Sequence, residues 1–224
     1  MTHAPVTARD VVLVGSLVAS SALTVVLGVV DPIGVPVLTS RFLVWNLFLA
    51  WIPLVAAVAV SRGSRPVALI AGLVWLVFLP NALYLVTDLV HLVDGSTLWR
   101  HILQFGFAAW TGTLLAVVSL RAVHHRADRE AGKVAGWFVV AAAVVAAGIG
   151  VAIGRFQRWN SWDLLTEPDS IAHGTLEWAR SPLADGRITG VALAVTAFFG
   201  IAYLTVWALT PGNGPGTRPP AQHA

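Results

Sequence analysis

VALIAGLVWLVFLPNALYLVT, from Val67 to Thr87, contains no acid, no base and no histidine. A helix rises ~1.5 Å per residue and a bilayer's hydrocarbon core is ~30 Å thick, so about 20 apolar residues suffice for one crossing. The stretch is long enough to span, and the chain around it repeats the pattern. Uncharged runs also cover Val11 to Val30, Phe42 to Val60, Ile102 to Leu120, Val134 to Gly154 and Ile188 to Leu209. With 57% hydrophobic and 11% charged residues, such a chain needs lipid as solvent. The expected fold is all-α, a polytopic six-helix transmembrane bundle occupying residues 1–210 as one domain. Its spans are 11–30, 42–60, 67–87, 102–120, 134–154 and 188–209.

The first run follows Arg9 but is long and lacks a small-x-small cleavage pattern, which favours an uncleaved span. Arg62, Arg65, Arg121, Arg126, Arg129 and Lys133 crowd the loops of one side, whereas the short loops of the other hold Arg41 and Arg100. The positive-inside rule then puts both termini in the cytoplasm. The tail from Pro211, rich in Pro and Gly, reads as a disordered cytoplasmic extension, residues 211–224. In the longest outer loop, Pro168 at a helix start, acidic Glu167 and Asp169 nearby and Arg180 at the end predict a short helix lying on the membrane surface. No cysteine is present, so disulfide and thiolate chemistry are excluded. No solvated basic surface suits nucleic acid.

Polar residues gather near the outer ends of the spans. Asn81, Tyr84, Asp88 and His91 fall at offsets of 0, 3, 7 and 10, one narrow stripe at 100° per residue. Pro80 has no N–H to donate, so a local bend is expected beside Asn81. The second span enters from the same side with Arg41 and, deeper, Asn46, and the fourth carries His101, Gln104 and Thr111 on one stripe. The fifth leaves through GRFQRWNSWD, containing Arg155, Arg158, Trp159, Asn160 and Asp163. Arginine pairs bidentately with carboxylate or phosphate, and tryptophan stacks on a guanidinium or a sugar. Ala146, Gly150 and Gly154 recur every four residues, a stripe where another helix can approach.

The segments RFLVWNLFLAWIPL from Arg41, WLVFLPNALYLVTDLVHL from Trp75 and GRFQRWNSWDLL from Gly154 resemble the uncharacterised bacterial membrane-protein family catalogued as domain of unknown function 1361. The resemblance covers nearly the whole chain. It implies a multi-pass protein of a bacterial cytoplasmic (inner) membrane and carries no activity.

These residues predict an outer-face polar cup built from Arg41, Asn46, Asn81, Tyr84, Asp88, His91, Arg155, Arg158, Trp159, Asn160 and Asp163. The leading expectation is binding or transport of an anionic headgroup or lipid-linked sugar. One alternative is an accessory subunit that uses the same stripe to meet another membrane protein of an envelope complex. Another is an extracytoplasmic transferase or hydrolase with Asp88 or His91 as base. Whether the chain is an enzyme stays open at this point. Two ligands, Asp88 and His91, are too few for a metal, so no metal and no cofactor are expected.

Overall fold

Pro66 sits in the first turn of a helix running Arg65–Thr87, where a missing N–H breaks no helical bond. The computed structural model describes residues 7–30, 37–91, 98–157, 163–181 and 186–210. Its α-helices are α1 (Ala8–Val30), α2 (Val37–Arg62), α3 (Arg65–Thr87), α4 (Leu98–Ala131), α5 (Lys133–Gln157), α6 (Asp163–Thr166), α7 (Pro168–Arg180) and α8 (Gly186–Leu209), and a 3-10 turn at Asp88–His91 continues α3. Six of them are long and apolar enough to cross a membrane. The chain is thus an all-helical, multi-pass membrane protein. The expected disordered tail lies outside the described residues.

The helices outrun the uncharged stretches that mark them. α4 extends through Arg121, His124, Arg126, Asp128 and Glu130, a stretch the charge pattern assigns to a loop. Nothing there breaks a helix, and Arg126 pairs with Glu130 one turn on at 2.6 Å. The break comes at Gly132, whose φ of 88° is open to glycine at no steric cost. Its N–H donates to the Asp128 carbonyl, and α5 begins one residue later. So short a link makes α4 and α5 an antiparallel hairpin.

α4 packs against α1, α2, α3, α5 and α8, and is the central element of the bundle. Composition explains this position. It carries buried His101, Gln104, Thr111, Thr113, Ser119 and His124, and such groups cannot face hydrocarbon without cost. Several meet partners on adjacent helices. Ser20 of α1 hydrogen-bonds Thr111 at 2.6 Å, and the Trp75 indole N–H donates to Ser119 at 3.1 Å. On the lipid-facing side, Trp51 donates to Ser21 of α1, while Trp45 and Trp99 stay exposed as interfacial aromatics do.

Lipid tails are as apolar as leucine, so close packing holds these helices together where small residues permit it. On α5 the four-residue repeat gives a close helix approach at Gly150, while Ala146 faces outward. Gly148 meets α8: a Cβ there would lie 2.6 Å from the Ala192 carbonyl oxygen and would also collide with Thr196. Gly150 takes the ring of Pro80, whose Cγ would stand 2.6 Å from an added Cβ. Pro80 lies inside α3, and its ring fills the space that this glycine leaves open.

α7 forms where the loop predicts it, with Pro168 in its first turn and Arg180 in its last. It is docked through Trp178, whose indole donates to Thr189 at 3.2 Å and packs beside Ala152, Ile188 and Ala192. Leu176 remains 54% exposed.

Gly148→Ala is expected to destabilise the protein by about 1–3 kcal/mol through overpacking against α8. Gly106→Ala, where an added Cβ meets nothing within 4 Å, is expected to be neutral or slightly stabilising. Thermal unfolding of both variants in one detergent checks the contrast. Equal losses at both positions would contradict the assigned α5–α8 contact.

Candidate functional site

The α-helix of Arg65–Thr87 ends just before Asp88, and the following 3-10 turn swings that side chain into the bundle rather than out to water. Asp88 is 0% exposed. A buried carboxylate must be paired and hydrogen-bonded, and here two helices supply the groups. Arg155, in the last turn of α5, donates from Nη1 to Oδ1 at 3.1 Å. Asn46 of α2 donates from Nδ2 to Oδ2 at 3.2 Å.

The guanidinium is held on two further sides. Its Nη2 donates to the carbonyl of Thr87, and its plane lies over the Tyr84 ring with Cζ 4.9 Å from the centroid. Each contact has a separate physical cause. Thr87 ends a helix, where carbonyls lack intrahelical donors and the dipole favours a cation. Tyr84 offers a π face. Arg155 also completes the C-terminal turn of its own helix, and its side chain stays 18% exposed. Three helices are therefore tied at one end of the bundle by an ion pair, hydrogen bonds from Asn46 and to Thr87, and a cation–π contact.

Of the residues expected in a cup, Asn46, Tyr84, Asp88 and Arg155 come together directly. Asn81 lies half-buried two turns deeper in α3. Asp163 opens α6, where its backbone carbonyl accepts the Glu167 N–H at 2.7 Å. Arg158, Trp159 and Asn160 lie outside the described residues, as do the side chains of Arg41 and His91. The backbone tightens to a 3-10 turn from Asp88 to His91. Asn46, the deeper polar residue of the second span, reaches the carboxylate of Asp88. His101 and Gln104 are buried on α4, which packs against the turn that carries Asp88. Among the described residues no three His, Asp or Glu side chains group as a metal site.

A second polar cluster, at the opposite end, escapes a reading based on spans. His124, Asp128, Trp137 and Tyr203 converge there from α4, α5 and α8. The sequence signal for it is the i, i+4 spacing of His124 and Asp128 in a stretch free of helix breakers, which shows only once α4 is read past its uncharged run.

Residues 45–206 match the family described as Protein of unknown function (DUF1361), and the chain belongs to that family. No curated protein and no solved structure matches it. The matched region contains Asn46, Asp88, Arg155 and the second cluster.

Neutralising one partner of a buried pair strands the other charge, so Arg155→Gln is expected to cost about 3 kcal/mol or more. The double variant Asp88→Asn with Arg155→Gln removes both charges and is expected to recover at least half of that loss. Denaturant titrations of the two single variants and the double, run as a mutant cycle, measure the coupling. Additive losses would mean that the two side chains do not pair.

Proposed function

We propose that the end of the bundle holding Asp88 and Arg155 binds an anionic headgroup or lipid-linked ligand, with Arg155 as the residue that contacts it. The observation that supports this most is the state of the guanidinium. It is fixed by Asp88, Thr87 and Tyr84 yet remains partly exposed at a helix end. A cation already held in place loses little further freedom on binding a phosphate, and its planar fork suits phosphate oxygens. Asp88 neutralises Arg155, so the net attraction for an anion comes from Arg41 and Arg158 together with His91 when protonated. Trp159 and Asn160 are assigned to the sugar or glycerol part of the ligand, where stacking and amide hydrogen bonds apply.

The charge pattern of the loops supports a bacterial cytoplasmic membrane, with both termini cytoplasmic and this site on the outer face. The transferase or hydrolase reading is the weaker one. Both oxygens of Asp88 are engaged, by Asn46 and Arg155, and a carboxylate so held is a poor general base.

The test uses the full chain in detergent, with short-chain phosphatidylglycerol and phosphatidylcholine as probes. The anionic lipid is expected to raise the apparent Tm of wild type more than the zwitterionic one does. Arg155→Lys, which keeps the charge but loses the fork, is expected to lose most of that difference while remaining folded. Equal stabilisation by both lipids in wild type, or an undiminished difference in the lysine variant, would overturn the proposal. Retention of a stoichiometric protein in place of lipid, seen by native mass spectrometry, would replace it with the accessory-subunit reading.

A further inference from the structure

His124 is a deeply buried titratable group outside the Asp88 site, with a polar neighbour at each ring nitrogen. It is 2% exposed on α4. Its Nδ1 lies 2.5 Å from the Tyr203 hydroxyl of α8, and its Nε2 lies 3.3 Å from Oδ1 of Asp128, one turn further along α4. Trp137 of α5 sets its ring edge-on to the imidazole, with centroids 4.9 Å apart, and also meets Tyr203 and Trp207. Gly136 allows α5 to come this close. A Cβ there would collide with the Asp128 carboxylate and stand 2.8 Å from His124 Cδ2.

The partners suit two protonation states. A neutral imidazole has one N–H, and Asp128 can only accept, so the proton belongs on Nε2 and Nδ1 accepts from the Tyr203 hydroxyl. When a second proton arrives, Nδ1 becomes a donor and Tyr203 turns its own proton away and accepts. A hydroxyl can reverse its role in this way, whereas a carboxylate or a backbone carbonyl cannot. Neither contact is lost in either state. Nε2 and Oδ1 are both shut off from solvent, and their approach is not aligned as a hydrogen bond, so Asp128 acts on the ring chiefly through its charge. The Asp128 side chain is 28% exposed, so the cluster lies close to water.

We propose that His124 is a proton-binding site, clasped between Tyr203 and Asp128, whose occupancy α8 registers through reversal of the Tyr203 hydroxyl bond. The second proton is taken from water and ends on Nδ1, and Tyr203 keeps its own. The charged and titratable groups on the elements packed here define the field. They are Arg121, His125 and Arg129 on α4, Lys133 on α5, Arg62 on α2, Arg65 on α3, and Arg9 and Asp10 on α1. Arg126 is committed elsewhere, to Glu130 and to the carbonyls of Ser61 and Gly63, and Arg121 donates to Thr210 beyond α8.

Trp137 supplies the readout, because a protonated imidazole against an indole quenches its fluorescence. Tryptophan emission of the full chain in nanodiscs is followed from about pH 5 to about pH 8.5, the range in which histidine titrates. Wild type is expected to show one titration. His124→Gln and Trp137→Phe are expected to remove it, and His125→Gln to leave it in place. Should His124→Gln fail to fold, Asp128→Asn and Tyr203→Phe keep the imidazole and are each expected to move the midpoint by about 0.5 pH unit or more. A flat profile in wild type would overturn the proposal. So would a titration that survives in His124→Gln, or a midpoint unmoved in both Asp128→Asn and Tyr203→Phe.

Discussion

A carboxylate with no exposed surface, at the end of a helix that crosses lipid, sets the terms for one end of this molecule. Asp88 cannot remain ionised there without a countercharge, and the last turn of α5 supplies one. Pairing with Arg155 brings that helix against α3, and Asn46 adds α2 by satisfying the second carboxylate oxygen. The geometry then fixes the arginine in turn, through Thr87 and the face of Tyr84. A buried pair of this kind contributes little net stability compared with apolar packing of the same volume. Its effect is to specify which helices meet and at what height, and to leave a cation in a defined pose at the bundle's edge.

The same rule, that polar groups in lipid must find one another, places α4 at the centre. It is the span with the most buried polar side chains, and five other helices surround it. One end carries His101 and Gln104 beside the turn that holds Asp88, and the other carries His124 and Asp128. α5 links the two regions, with Arg155 near one terminus and Gly136 and Trp137 near the other. Between them, glycine contacts with α3 and α8 keep the helix rigidly seated. Each polar cluster therefore sits on a well-packed frame, and the aqueous phases reach the two through partly exposed partners, Arg155 on one side and Asp128 on the other.

Much of this architecture is legible in the sequence because lipid imposes a simple rule on length and charge. The six uncharged runs mark all six spans, and Pro168, Glu167, Asp169 and Arg180 mark α7. The rule fails at the ends of spans, where a helix can continue through charged residues, as α4 does from Arg121 to Ala131. The composition of the Asp88 site was readable from Asn46, Tyr84, Asp88 and Arg155, since each is a polar residue toward the same end of its span. Which of them pair was not, because that depends on the switch to 3-10 geometry at Asp88 and on the lateral order of the helices. The His124 cluster was hidden for both reasons. It lies past the end of an uncharged run, and Tyr203 is distant in sequence and sits in an otherwise apolar helix.

The pairing of Asp88 with Arg155 can be observed directly by solid-state NMR in bilayers, using protein labelled with 15N in the arginine guanidinium groups and 13C in the aspartate carboxyls. The 3.1 Å approach of Nη1 to Oδ1 requires a strong nitrogen–carbon dipolar contact that disappears in Asp88→Asn. A spectrum whose arginine–aspartate contacts are the same in wild type and in that variant would show that the carboxylate is not held by Arg155, and the account of this end of the bundle would fail with it.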